Sequence, residues 1–213
     1  MASERILSKE EIETALNERH SPEKQKLLSA GQVTIAGLGG LGSNVAYSLA
    51  QIGVGHLHLI DFDRVDITNL NRQQYRMEHI GRYKTEALLE ELREINPYLE
   101  VETDCVRVTD ENVGTLFHNE DIICEAFDCP EAKAMLVSGV GEYYPDKILV
   151  AGSGMAGYGR SNEIVTRKIN EHFYLCGDAH TEPVKGRGLM APRVAICAAH
   201  QANLITELII RGK

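Results

Sequence analysis

Four glycines, Gly37, Gly39, Gly40 and Gly42, punctuate the stretch AGLGGLGSN, between a β-branched apolar run and a helical pattern. Their spacing is GxGxxG. The first glycine permits a tight turn, the middle ones let backbone approach a phosphate, and the last lets helix pack close on strand. The helix N-terminus adds unpaired N–H groups and a positive partial charge. Asp61 ends the next apolar strand, where a carboxylate can take ribose hydroxyls, and Asp63 follows it. Together these residues predict a nucleotide site.

The loop beyond selects among nucleotide chemistries. Thr68, Asn69, Asn71, Arg72 and Gln73 are gathered in ITNLNRQ, Lys84 opens the next helix, and Asp128 ends a later strand in EAFDCPEAK. A dinucleotide needs little of this, because helix N–H groups neutralise most of its pyrophosphate. Splitting ATP needs cationic donors for a departing pyrophosphate, and a metal. Arg72 and Lys84 supply the cations. Asp128 sits where a magnesium ligand belongs, on the carboxyl edge of the sheet. No Ser/His/Asp or Cys/His set stands out. Each of these residues also has a plain structural reading: a surface salt bridge for Arg72, an ordinary first-turn lysine at Lys84, a helix cap at Asp128.

These side chains need a scaffold. Ser8-Lys9-Glu10-Glu11 has the capping-box form and opens a helix to about Arg19; Ser21-Pro22 opens a second, closed by Gly31. Strands are expected at QVTIAG, HLHLI, LEVETDCVRV, DIICEAF and KILVAGS. Helices follow at 40–51 and 83–95, at a short segment capped by Thr109, and at 130–143. The alternation predicts a Rossmann-like α/β fold: a mostly parallel sheet with helices on both faces. EIVTRKINEHFYLC then reads as an antiparallel hairpin, GDAHTEPVKGRG as a polar loop, and 192–210 as an Ala-rich helix. A single domain is expected, with N-terminal helices in 1–30, a nucleotide-binding core in 31–152 and a C-terminal antiparallel extension in 153–213.

The net charge of −9 leaves no basic face for tracking phosphates, which argues against nucleic acid as main partner. No apolar run reaches the length of a membrane span, and MASERILSKEE is unlike a secretory leader, so a cytoplasmic protein is expected. The five cysteines include no CxxC pair, which argues against a disulfide framework and a zinc ribbon. Cys105, Cys124 and Cys197 are expected buried; Cys129 and Cys176 are the candidate reactive thiols. His56 and His58 alternate on one strand, but no further ligand is evident, so a core or interface position is the better reading.

GLGGLGSN, DFDRVDITNLNRQ, Gly81-Arg82-Tyr83-Lys84, EAFDCPEA and GLMAP together resemble the ThiF/MoeB/HesA family, bacterial relatives of ubiquitin-activating enzymes, from Arg19 to Arg211. The short ThiF-type sulfur carrier protein adenylyltransferases are the most similar form. The resemblance implies ATP-Mg-dependent adenylation of the C-terminal glycine of a ubiquitin-like sulfur carrier ending in Gly-Gly. A ThiS-like carrier of thiamine thiazole synthesis is expected, with a MoaD-like carrier for molybdopterin as the alternative. It also implies roles: Gly40 at the phosphates, Asp61 on the ribose, Asn69 with Thr68 beside the phosphates, Arg72 and Lys84 on the triphosphate, Asp128 on magnesium. Arg19 would reach a partner subunit's site in a homodimer. Longer members bind zinc through CxxC pairs, and some members use a cysteine in the crossover loop. This chain has neither, so no structural zinc and no covalent transfer are expected. The glycine turn and Asp61 alone would also allow an NAD- or FAD-dependent oxidoreductase.

Overall fold

The computed structural model describes residues 6–212; residues 1–5, part of the polar opening considered above, and residue 213 lie outside the described residues. Helices α1 (Lys9–His20) and α2 (Pro22–Ser29) lead in. The capping box holds at the first: Glu11 N–H donates to Ser8 Oγ (3.2 Å), and Ser8 N–H to the Glu11 carboxylate (2.8 Å). The chain continues through β1 (Gln32–Ala36), α3 (Gly40–Gln51), β2 (His56–Ile60), α4 (Lys84–Ile95), β3 (Glu100–Asp104), α5 (Val113–Leu116), β4 (Ile122–Glu125), α6 (Pro130–Tyr143) and β5 (Ile148–Gly152). It closes with β6 (Val165–Lys168), β7 (Phe173–Gly177) and the long α7 (Ala191–Arg211).

One seven-stranded sheet has the order β3-β2-β1-β4-β5-β7-β6, parallel throughout except for the final β7–β6 pair. The strand order reverses between β1 and β4. In such sheets ligands lie beyond the carboxyl ends at that switch point. Alternation along the strands divides the core. Val33, Ile35, Leu57, Leu59 and Cys124 face the layer of α3, α4 and α7, whereas Ala36, Ile60, Ile123 and Leu149 face that of α5 and α6.

The expected alternation is present, with local corrections. The third strand ends at Asp104 instead of running to Val108. As the edge strand it pairs only with five-residue β2, so nothing extends the ladder. The chain then turns: Cys105 is exposed, against the expectation of burial, and Val108 reaches the second core. Thr109 is not the helix cap. The short helix starts beyond Asn112, whose side-chain oxygen accepts from Thr109 N–H (2.8 Å). Cys124 and Cys197 are buried as expected.

Candidate functional site

At the β1–α3 turn, Gly37 has φ +93°, which glycine alone adopts without strain. A side chain on Gly42 would overlap the Gly37 carbonyl oxygen, so that glycine lets α3 lie against β1. A Cβ on Gly39 would meet only the Gln73 amide nitrogen at 3.8 Å. Gly40 packs differently: its missing side chain makes room for Val194 and the stem of Arg72, at 2.9 and 3.3 Å from an ideal Cβ. The first N–H groups of α3 have no partners within the helix.

Asp61 closes the turn from the side. Its carboxylate accepts from Leu38 N–H (2.6 Å) and Asp63 N–H (2.8 Å), with Lys84 Nζ 3.9 Å away. Burial pushes the Asp61 carboxyl above the ordinary carboxylate range, against the pull of Lys84 and of those N–H donors. Asp61 is therefore built into the turn, and the half-exposed Asp63 is the acid that faces outward. Lys84 is 6 % exposed and donates to Asp63 at 2.8 Å.

The ITNLNRQ loop is a 3-10 turn (Ile67–Asn69) capped by Asp66. Part of its polarity is spent locally. Thr68 hydroxyl donates to Asp66 (2.7 Å), and Asn69 Oδ1 accepts from Asp66 N–H (2.9 Å). Asn71 amide donates to the Leu189 carbonyl (3.1 Å), which ties the loop to the GLMAP segment. Arg72 Nη1 donates to the Thr68 carbonyl (3.1 Å) and to Asn71 Oδ1 (2.7 Å). Among the described residues Arg72 makes no ion pair. A surface salt bridge, its plain structural reading, is not what holds it. Gln73 is buried, with Oε1 unpartnered.

Across the switch point, Phe127 packs under Gly37, and the exposed Asp128 follows it, with no ion pair among the described residues. Asp128 does not cap α6, whose first turn takes no side-chain cap. Arg19 does not reach this site within one chain. Its neighbour His20 bonds Gln25 (2.8 Å), and Gln25 donates to the Gly53 carbonyl (3.2 Å), beyond the far end of α3. The 12 residues of α3 span about 18 Å.

Several positioning residues carry no sequence signal strong enough to single them out. Asn44 donates to the Gly40 carbonyl (2.7 Å) and the Arg72 carbonyl (3.1 Å) and accepts from Gln74 (2.8 Å), clasping the loop onto α3. Tyr75 hydroxyl donates to the Leu38 carbonyl (2.8 Å). Lys133 pairs with fully buried Glu125 (2.9 Å) and donates to the Gly152 carbonyl (2.9 Å), bracing the β4 and β5 ends. Burial pushes Glu125 upward despite Lys133. At the root of the crossover loop, buried Arg193 donates to Asp178 (2.5 Å). Asp178 also accepts from Thr181 hydroxyl (2.6 Å) and from the N–H groups of His180 (2.9 Å) and Thr181 (2.8 Å). Burial raises the Asp178 carboxyl, but those bonds and Arg193 outweigh it and hold it well below the ordinary range. Cys176, a candidate reactive thiol, is fully buried and pushed upward by burial; the exposed Cys129 thiol donates to Glu131 (2.8 Å).

The glycine turn thus lies at the switch point with Arg72 and Lys84 beside it, and comparison with known proteins gives the class. The molybdopterin-synthase adenylyltransferase of Salmonella typhimurium is 30 % identical over 194 residues, 88 % of this chain and 76 % of that protein. The Escherichia coli protein of the same name is 30 % identical over 192 residues, 84 % of this chain and 72 % of that protein. The sulfur carrier protein adenylyltransferase of Thermus thermophilus is 36 % identical over 108 residues, half of this chain and 40 % of that protein. Among solved structures, E. coli tRNA N6-threonylcarbamoyladenosine dehydratase in complex with ATP superposes with TM-score 0.85, covering 97 % of this chain and 98 % of that one at 21 % identity; this shows the shared fold. The class is that of adenylyltransferase enzymes. The ThiF family model matches residues 13–212, and the chain belongs to the ThiF family.

Proposed function

We propose that the chain binds ATP at the β1–α3 turn and transfers its adenylyl group to the C-terminal glycine carboxylate of a ubiquitin-like sulfur carrier, releasing pyrophosphate. The observation that carries this reading is Arg72: a partly exposed guanidinium along the glycine turn, held only by neutral acceptors. Its charge is left for a ligand. Lys84 backs it from beneath Asp61 and Asp63. Asp63, with one flank exposed, suits the ribose hydroxyls.

The chemistry asks little more of the protein. A terminal carboxylate has an ordinary pKa of about 3.3–3.7 and is already ionised, so no general base is needed. The barrier is repulsion between that anion and the α-phosphate, together with charge growing on pyrophosphate. Positioning and cations lower it. Asp128 fits a magnesium ligand: an exposed, unpaired carboxylate at the carboxyl edge, where phosphate oxygens would complete the shell. Magnesium would neutralise phosphate charge there. Because Arg19 lies near the far end of α3, it can serve a site only from a second copy, which is how we place it in a homodimer.

The thiazole-type carrier expected from the sequence and the molybdopterin-type carrier kept as its alternative, in line with relatives named molybdopterin-synthase adenylyltransferase, both end in Gly-Gly. A carboxylate on a modified tRNA base is the second reading, favoured by the fold match over nearly the whole of the tRNA-modifying enzyme and disfavoured by the charge of −9. ATP–pyrophosphate exchange with each carrier and with tRNA separates them. Exchange dependent on a Gly-Gly carrier is expected. Exchange with tRNA alone, or with none of the three, would overturn the proposal.

A further inference from the structure

The amino edge of the sheet holds a second polar assembly. His56 and His58 project from β2 onto the α5/α6 face, the face of Ile60. In β3, Glu102 stands in register with His58, and Asp104 with Ile60. Glu120 arrives just ahead of β4, 1 % exposed. His56, the first residue of β2, is five residues from Asp61, about 16 Å along the strand, so this place is separate from the glycine turn.

The buried polar atoms here lack hydrogen-bond partners. Thr34 Oγ1, His56 Nε2, His58 Nδ1 and both carboxylate oxygens of Glu120 are all buried and unpartnered. Buried polar groups in native proteins are nearly always satisfied, so Glu120, set between two imidazoles with no bond of good geometry, marks a place for a further partner. Glu120 Oε1 lies 3.5 Å from His56 Nε2 and 3.3 Å from His58 Nδ1. Glu102 closes a triad with His56 and Glu120 in which the three ligand atoms lie within 4.8 Å of one another. A tetrahedral ion with bonds of about 2.0–2.1 Å spaces its ligand atoms about 3.3 Å apart. The other nitrogen of His58, Nε2, bonds Asp104 at 2.9 Å. A ligand carboxylate is characteristically held by a partner behind it, and His58, itself fixed by Asp104, stands behind Glu120.

We propose that His56 Nε2, Glu102 and Glu120 bind one divalent transition-metal ion of the zinc type, with His58, bonded to Asp104 and set against Glu120, as a positioning residue. Imidazole and carboxylate donors select such ions over calcium or magnesium. The ion joins edge strand β3 to β2 and to the approach to β4, which otherwise leaves buried Glu120 against two imidazoles. The missing CxxC pairs exclude a thiolate site but not this one. Exposed Glu102 leaves it open to solvent. The competing arrangement is a proton on His58 paired with Glu120, with no metal.

The test is zinc titration of the chelator-treated full chain by calorimetry, with melting temperature as second readout. Binding of one zinc per chain with a raised melting temperature is expected. Glu120→Gln should abolish it, and Asp104→Asn should weaken it about tenfold. Should Glu120→Gln fail to fold, the double variant His56→Gln/Glu102→Gln, at more exposed positions, must lose zinc while keeping its circular dichroism. Cys105→Ser/Cys129→Ser must bind as wild type. Absence of stoichiometric binding to the wild-type chain, or wild-type affinity in the double variant, overturns the proposal.

Discussion

Arg72 donates to the Thr68 carbonyl and Arg193 to the Gly159 and Arg160 carbonyls, yet the two charges are treated in opposite ways. Arg193 is buried and its charge is cancelled by Asp178, which collects three more hydrogen bonds. Arg72 is partly exposed and has only Thr68 carbonyl and Asn71 amide oxygens. The first arrangement is complete and anchors the crossover loop to α7. The second orients a side chain without neutralising it, as the proposed triphosphate role requires. The difference shows that what a charged side chain lacks can be more informative than what it touches.

The largest effect that would break this comparison is on stability. Breaking a buried pair by removing one partner costs about 3–5 kcal/mol, because the other charge is stranded. Asp178→Ala should lower stability by about that much in urea unfolding, whereas Arg72→Ala should stay within about 0.5 kcal/mol of wild type. Equal losses would erase the contrast. The order reverses in catalysis. Removing one donor to developing charge costs about 10²-fold or more, so Arg72→Ala should cut exchange by that factor.

A smaller effect lies in pH. The Asp178 carboxyl is depressed in the folded chain, so it contributes stability that is present above its unfolded pKa and lost as pH falls towards its folded value. Unfolding followed below about pH 4 should therefore show a steeper loss in wild type than in Asp178→Asn. A parallel slope would remove Asp178 from that role. The smallest effect is expected from Asp128→Asn. Fold stability should be unchanged, while the magnesium concentration for half-maximal exchange should rise. An unchanged magnesium dependence would take the metal role from Asp128.

Much of the carboxyl edge was legible because its residues sit close together in sequence around one turn. Gly37 and Gly42 are needed where the spacing placed them, and the strand–helix alternation follows the hydrophobic periods. The strand carrying Cys105 was overextended because an edge strand ends where its neighbour ends, which periodicity does not report. Asn44, Tyr75 and Arg193 were missed because their partners lie 28, 37 and 15 residues away. The ligands around His56 and His58 come from β3 and from the approach to β4, up to 64 residues on, so only the sheet brings them together. Asp61 shows the reverse case: it lies beside the turn, as the spacing has it, and both its oxygens accept from backbone there, which the spacing does not report.

No helix among the described residues is long and apolar enough to cross a membrane. Of the two arginines, Arg72 is the one on which the proposed function depends. The most direct measurement is ATP–pyrophosphate exchange with a Gly-Gly carrier, run on wild type and Arg72→Ala at matched folded concentration. Robust exchange in the first and a loss of about 10²-fold in the second is the expected result. Equal exchange in both would mean that the uncancelled guanidinium does not serve the triphosphate.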